Sequence, residues 1–376
     1  MILLLLLPLL MTQSSSQDCS MNVAAPKAPF ILDNGYNFPT YDGTHSINFK
    51  HNETFYVSCP KGTTSSYLSK DGDHVRCLSG TTILNLVTGE EVDFASIKCK
   101  STPVTSVRKL DEKCVNNNSL IEIGFEMNKN FVTMMTVCFD DVKLVPFYCK
   151  YSSIVANFGE RRSVFSGSDF YRSYVCSENE CEFVDSGTMY PYINLDGLYD
   201  KQRQILGNLG VVVDKSLLRL PLTTDVLGLT KLESVQQIKV APFFDYVNVV
   251  PAWDAEDSLD FWINLLMTEI MRGDREVLYT GSLGVLSLTN GDDKEVEIFL
   301  SNSRVPVPKW IWMVWKFGED CHQSIVFLYN HPYEHVGTKS GEVCSSYEVL
   351  YSSFIISCAF EDVVDPEMKE FITNMK

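Results

Sequence analysis

Phe131-Val132-Thr133-Met134-Met135-Thr136-Val137-Cys138 is the stretch from which the fold reads most directly. It is rich in β-branched and aromatic residues, which pack well on a pleated, half-buried surface, so it predicts a strand. Thr54-Phe55-Tyr56-Val57-Ser58-Cys59 and Thr81-Thr82-Ile83-Leu84-Asn85-Leu86-Val87 repeat the pattern upstream. Turn signals such as Pro60-Lys61-Gly62 and Lys70-Asp71-Gly72-Asp73 separate these runs. Strands alternating with such punctuation predict hairpins. Residues 18–150 therefore read as a small, cysteine-rich all-β module.

All twelve cysteines, at 19, 59, 77, 99, 114, 138, 149, 176, 181, 321, 344 and 358, follow the first polar stretch of the chain. An even number spread over a long chain reads as a disulfide framework of an oxidising compartment, with connectivity left open. No CxxC pair is present, which argues against a zinc ribbon or a thioredoxin-type site. At the N-terminus, Met1 to Met11 is nearly all leucine and Thr12 to Gln17 is polar. An apolar run of about ten residues is half of what a membrane helix needs. It predicts a signal peptide over residues 1–17 and a secreted, extracellular protein. The sequons Asn52-Glu53-Thr54 and Asn117-Asn118-Ser119 suit that route.

From about residue 151 the texture changes. Tyr199 to Leu206 looks helical and stops at Gly207 and Gly210. Asp257 to Met271 predicts a longer helix, with Phe261, Leu265, Leu266 and Ile270 at helical spacing and acids in its first turn. Strand-like runs surround these segments, including Phe244–Val250, Glu276–Thr280, Val296–Leu300, Trp310–Trp315 and Ser324–Tyr329. Without strict βαβ alternation, the expected class is α+β.

Three strings invite a chemical reading. Gly281-Ser282-Leu283-Gly284 lacks the GxSxG spacing of a serine hydrolase elbow. His331-Pro332-Tyr333-Glu334-His335 satisfies the inverted zinc-peptidase pattern, but Pro332 inside it and Gly337 after it predict a turn, not the required helix. Trp310-Ile311-Trp312-Met313-Val314-Trp315 could stack nucleobases, but it reads better as a core strand.

Four pieces occur in a suggestive order: Val247-Asn248-Val249-Val250-Pro251-Ala252-Trp253, Thr280-Gly281-Ser282-Leu283-Gly284, Val305-Pro306-Val307-Pro308-Lys309-Trp310 and Tyr329-Asn330-His331-Pro332. Leu198-Tyr199 with Gln202 to Leu206 precedes them. Together they resemble the secreted DNA/RNA non-specific endonuclease family over residues 165–335. The salivary nuclease-like proteins of tsetse and other blood-feeding flies look nearest. The resemblance implies a ββα-metal nuclease-like domain over residues 151–376, behind the β module.

It also implies a chemistry. Family members activate water with the histidine of an Arg-Gly-His motif and stabilise the phosphate with one magnesium ion. The matching position here is Leu227-Gly228-Leu229, within Asp225–Leu229, and leucine accepts no proton. The six histidines stand at 45, 51, 74, 322, 331 and 335, so none lies between 74 and 322. The metal-holding asparagine maps near Asp257 or Ser258, where Asp257 is a hard ligand suited to magnesium or an ordinary helix N-terminal acid. The supporting glutamate maps near Leu265 or Leu266.

The functional expectation is thus a secreted binder of DNA or RNA with a degenerate nuclease domain and no required cofactor. Arg203, Arg219, Lys231, Lys239 and Arg272 are the candidate phosphate contacts, with Lys309 and Lys316 on later strands. A net charge of -17 opposes non-specific attraction to phosphate backbones unless cations gather on one face. Two alternatives stay open: a weak magnesium-dependent endonuclease using Asp257, and a non-catalytic binder of a host protein or small ligand.

Overall fold

A computed structural model describes residues 17–22, 28–34, 46–59, 65, 67–70, 72–100, 106–127, 130–143, 145–152, 172–176, 181–185, 206–211, 224–225, 249–250, 252–253, 261–262, 277–301, 304–316, 324–351 and 353–374. The strands of the first part are β1 (Cys19–Asn22), β2 (Phe30–Leu32), β3 (Ser46–Phe49), β4 (Thr54–Ser58), β5 (Asp73–Ser79), β6 (Thr82–Asn85) and β7 (Glu91–Asp93). Then come β8 (Ser106–Lys113), β9 (Ser119–Met127), β10 (Asn130–Asp140) and β11 (Val145–Ser152). β12 (Arg172–Cys176), β13 (Cys181–Asp185), β14 (Thr224–Asp225) and β15 (Val249–Val250) follow. The last stretch holds β16 (Val277–Val285), β17 (Ser287–Thr289), β18 (Glu295–Glu297), β19 (Phe299–Ser301), β20 (Arg304–Pro306) and β21 (Pro308–Lys316). It closes with β22 (Ser324–Tyr329), β23 (Glu348–Tyr351), β24 (Ile355–Ala359) and helix α1 (Pro366–Asn374).

Two sheets dominate. The smaller has the order β2-β4-β5-β6-β7, and its core packs Phe55, Val57, Val75, Ile83 and Phe94. Cys19–Cys77 ties β1 to β5, and Cys59–Cys99 ties the end of β4 to the segment after β7. Between β4 and β5 the chain turns tightly on Gly72 at φ +87°, where a Cβ would sit 2.7 Å from the Ser58 Cβ. The neighbouring Asp73 is buried and satisfied: it accepts from the Ser69 amide at 3.0 Å and from Asn85 Nδ2 at 2.8 Å. A buried carboxylate held this way fixes the turn instead of straining it.

The larger sheet has eleven strands in the order β13-β12-β8-β9-β10-β11-β16-β21-β22-β24-β23. Its middle joins the two halves of the sequence: β11 pairs antiparallel with β16, with Tyr148 opposite Gly281. In β9 the residues Ile121, Ile123, Phe125 and Met127 alternate inward, as strand period two demands. Each such burial contributes roughly 1.5–3 kcal/mol. Two bulges shift the register of β10, between Thr133 and Met135 against β9 and between Cys138 and Phe139 against β11. Cys114–Cys138 and Cys344–Cys358 brace this sheet.

Helix α1 lies on one face of it. Asp365 caps the helix by accepting from the Met368 amide at 2.9 Å, and Pro366 occupies the first helical position. Met368 and Phe371, three residues apart, are buried. The Phe371 ring lies 4.9 Å from Trp312, 5.1 Å from Tyr148 and 5.5 Å from Tyr279.

This architecture corrects the α+β, ββα-metal nuclease-like expectation: the described chain is mostly β-sheet with four disulfides. Among the described residues, α-helix is confined to 206–208, 261–262 and α1. The physical reason is long-range pairing. After residue 276, β16, β21, β22, β24 and β23 continue the sheet begun by β8–β11, while β17–β18 and β19–β20 form two small sheets of their own. Of the helix expected at Tyr199–Leu206 only Leu206 is described, and the helix there runs on to Asn208, past the stop expected at Gly207. Residues 261–262 fall inside the helix expected at Asp257–Met271, and the rest of both segments lies outside the described residues. So does the expected signal peptide, apart from Gln17. No helix among the described residues is long and apolar enough to cross a membrane.

Candidate functional site

The end of β22 gathers three of the four strings singled out in the sequence. Asn330, 1% exposed, follows directly after Tyr329. Its backbone amide donates to the Lys309 carbonyl at 2.9 Å, and its Nδ2 donates to the Pro308 carbonyl at 2.7 Å. Its Oδ1 accepts from the Trp253 amide at 2.6 Å. One side chain therefore pins the Pro308-Lys309 strand start and the Ala252-Trp253 segment to the turn after β22. Thr280 to Gly284, the fourth string, lies inside β16, paired to β21. Gly281 is required there: a Cβ would come within 2.3 Å of Trp312 Cζ2 and 2.4 Å of the Phe147 carbonyl oxygen.

The turn after Asn330 is polar and crowded. His331 is buried, stacks on Tyr329 with centroids 5.4 Å apart, and accepts at Nδ1 from the Tyr333 amide at 3.2 Å and the Glu334 amide at 2.8 Å. Two donors at Nδ1 assign the neutral tautomer with the proton on Nε2. Burial holds the imidazole below its ordinary range; Glu334 and Glu295 pull the other way, and Lys339 and Lys309 reinforce the depression. Burial, then the nearby Glu334 and Glu342 carboxylates, push the Tyr329 phenol far above its usual value, so it stays a neutral donor. Lys309 forms an ion pair with Glu342.

This geometry decides several sequence readings. Residues 331–335 form a turn, so the two histidines of the zinc-peptidase pattern do not share a helical face. His335 instead packs beside Phe354 at 4.9 Å. A general base needs an open lone pair, and the one on His331 is committed to two backbone amides. Trp310 and Trp312 are buried at 2% and 0% exposure, so these two rings are core and offer no stacking surface. Lys309 is engaged by Glu342, and Lys316 ends β21 opposite Val277.

The remaining candidates are not brought together in view. β14 pairs with β15, Asp225 opposite Val249, which sets the chain two residues before Leu227 beside the Asn330 hub's own segment. Leu227, Gly228 and Leu229 themselves lie outside the described residues, as do Asp257, Arg203, Arg219, Lys231, Lys239 and Arg272. Among the described residues no group of three His, Cys, Asp or Glu side chains is placed to hold a metal. The hub role of Asn330 was not evident in the sequence. Its one signal is an amide residue at the end of an apolar strand, directly before His-Pro.

No protein-family model matches the chain, and no curated protein matches it. Solved structures do match. Among them is the crystal structure of the EndoG/EndoGI complex, described for the mechanism of EndoG inhibition; it is 13% identical and covers 55% of this chain and 75% of that chain. Its TM-score is 0.30, too low to assign a fold. The resemblance to the non-specific endonuclease family stays a resemblance.

Proposed function

We propose that this chain is an extracellular, disulfide-braced binding protein whose ligand is DNA or RNA and which does not cut it. The observation that carries the proposal is the Asn330 hub, which collects strings in the order of a nuclease, while among the described residues the histidine beside it, His331, has its Nδ1 lone pair committed to backbone amides. Leu227 and Leu229 stand where arginine and histidine belong, and no histidine occurs between 74 and 322. Loss of a general base alone costs roughly 10²–10⁴-fold in rate. Four disulfides among the described residues fit an oxidising, extracellular setting. At a net charge of -17, phosphate contact has to come from one local basic face, for which Arg203, Arg219, Lys231, Lys239 and Arg272 are the candidates.

The test is a single gel. Oxidised full-length protein is titrated onto plasmid DNA and onto RNA, across a salt series, with and without magnesium. Retardation that weakens with salt is expected, with a log-log slope of about -0.9 per duplex phosphate contacted, and intact nucleic acid throughout. Alanine replacement of Arg203, Arg219, Lys231, Lys239 and Arg272 should flatten that slope. No retardation at low ionic strength would remove the nucleic-acid ligand and leave a binder of a protein or small molecule. Cleavage that EDTA stops and Asp257→Ala abolishes would replace the non-catalytic reading with a weak magnesium-dependent nuclease.

A further inference from the structure

We propose that Asn52 and Asn117 carry N-linked glycans, with Asn52 fully occupied and Asn117 only partly. These are the asparagines of the chain's Asn-x-Ser/Thr sequons. Both sit at exposed turns: Asn52 at φ +67° between β3 and β4, and Asn117 at φ +60° in the turn between β8 and β9. Asparagine tolerates this left-handed backbone better than most residues, which suits it to both turns. No side-chain hydrogen bond engages either amide among the described residues, whereas the adjacent Asn116 amide donates to Glu367 at 3.1 Å. Both asparagines are exposed, so the attachment atom of each is open to a glycan.

In the transfer, the asparagine Nδ2 attacks the anomeric carbon of a lipid-diphosphate-linked oligosaccharide. A C–N bond forms, the anomeric C–O bond to phosphate breaks, the lipid diphosphate leaves, and the amide loses one proton.

The two sites differ in the hydroxyl that the transferring enzyme must reach. Thr54 is half-buried, and its Oγ1 accepts from Asn34 at 3.2 Å in an exposed contact. Ser119 is 1% exposed; its hydroxyl donates to Asp141 and accepts from Lys113 Nζ at 3.3 Å. Cys114–Cys138 also closes around the Asn117 turn. Once β8, β9 and β10 assemble and that disulfide forms, the second sequon is shut, so its modification races folding.

The inference rests on entry into the secretory route, not on the nucleic-acid ligand. The full chain is expressed in eukaryotic secretory cells, and protein from the medium is compared before and after peptide-N-glycosidase by mobility and intact mass. Two steps are expected, the upper one incomplete. Asn52→Gln or Thr54→Ala removes the complete step; Asn117→Gln or Ser119→Ala removes the partial one. A mild reductant during synthesis, which delays Cys114–Cys138, should raise the second occupancy. Secreted protein with the mass of the bare polypeptide overturns the proposal, as does a chain that never leaves the cytosol. Equal occupancy unaffected by reductant overturns the folding race while leaving the sites.

Discussion

Replacing Asn330 with alanine tests whether the hub holds the molecule together. The substitution removes the acceptor for the Trp253 amide and the donor to the Pro308 carbonyl, both in buried surroundings. A buried polar group left without its partner costs about 1–3 kcal/mol, so the two together should cost about 2–6 kcal/mol. Urea unfolding followed by tryptophan fluorescence reads this directly, because Trp253, Trp310 and Trp312 are all buried near the hub or the adjoining strands. Asn330→Asp sharpens the test. It keeps an oxygen for Trp253 but turns a carboxylate oxygen toward the Pro308 carbonyl, a repulsion that protonation relieves. The aspartate variant should therefore recover stability relative to wild type as the pH falls toward about 4, the ordinary aspartate range. An alanine variant within about 0.5 kcal/mol of wild type would refute the hub, since that is the size of an ordinary surface change. So would an aspartate variant whose deficit is the same at both pH values.

Two further perturbations follow from the same region. Burial pushes the folded-state pKa of His331 below the ordinary histidine value of about 6.5, so the unfolded chain binds its proton more readily. Its contribution to stability is present above pH 6.5 and is lost as pH falls through the depressed value. Unfolding midpoints measured from neutral pH downward should fall for wild type and fall less for His331→Asn; parallel curves would exclude this histidine as the source. Gly281→Ala places a methyl group 2.3 Å from the Trp312 ring, and such overpacking costs about 1–3 kcal/mol or more. A thermal melt unchanged from wild type would refute the close packing of Gly281 against Trp312.

The strands were legible wherever composition alone decides. Phe131–Cys138 lies within β10, Thr54–Cys59 overruns β4 by one residue, and Ser324–Tyr329 coincides with β22. The turn at residues 331–335 was legible too, because proline inside a histidine pattern is a local veto on helix. Fold class was not. Helical periodicity at Asp257–Met271 is a local signal, while class here follows from β11 meeting β16 far along the chain, which no window of residues encodes. Disulfide partners were illegible for the same reason: Cys19 with Cys77 and Cys59 with Cys99 interleave in sequence. The site was half legible. The strings were visible, but the atom-level reason they meet is one asparagine, whose side-chain amide joins Trp253 and Pro308 while its backbone amide joins Lys309. Helix α1 went unread although Asp365-Pro366 is a capping signal, since the helix that follows has only nine residues.

The seam between β11 and β16 also sets a timetable for synthesis. β11 ends at Ser152 and its partner begins at Val277, so residues 153–276 must be made before that edge is covered. At roughly 5–20 residues per second, the nascent chain presents an unpaired strand for about 6–25 s. Phe147 and Cys149, both buried in the finished sheet, are on that strand. An open edge of this kind recruits whatever strand arrives first, including one from a neighbouring chain. Yield from cells should therefore respond to translation rate and chaperone supply more than to the stability of the finished molecule, and a chain cut after Ser152 should aggregate.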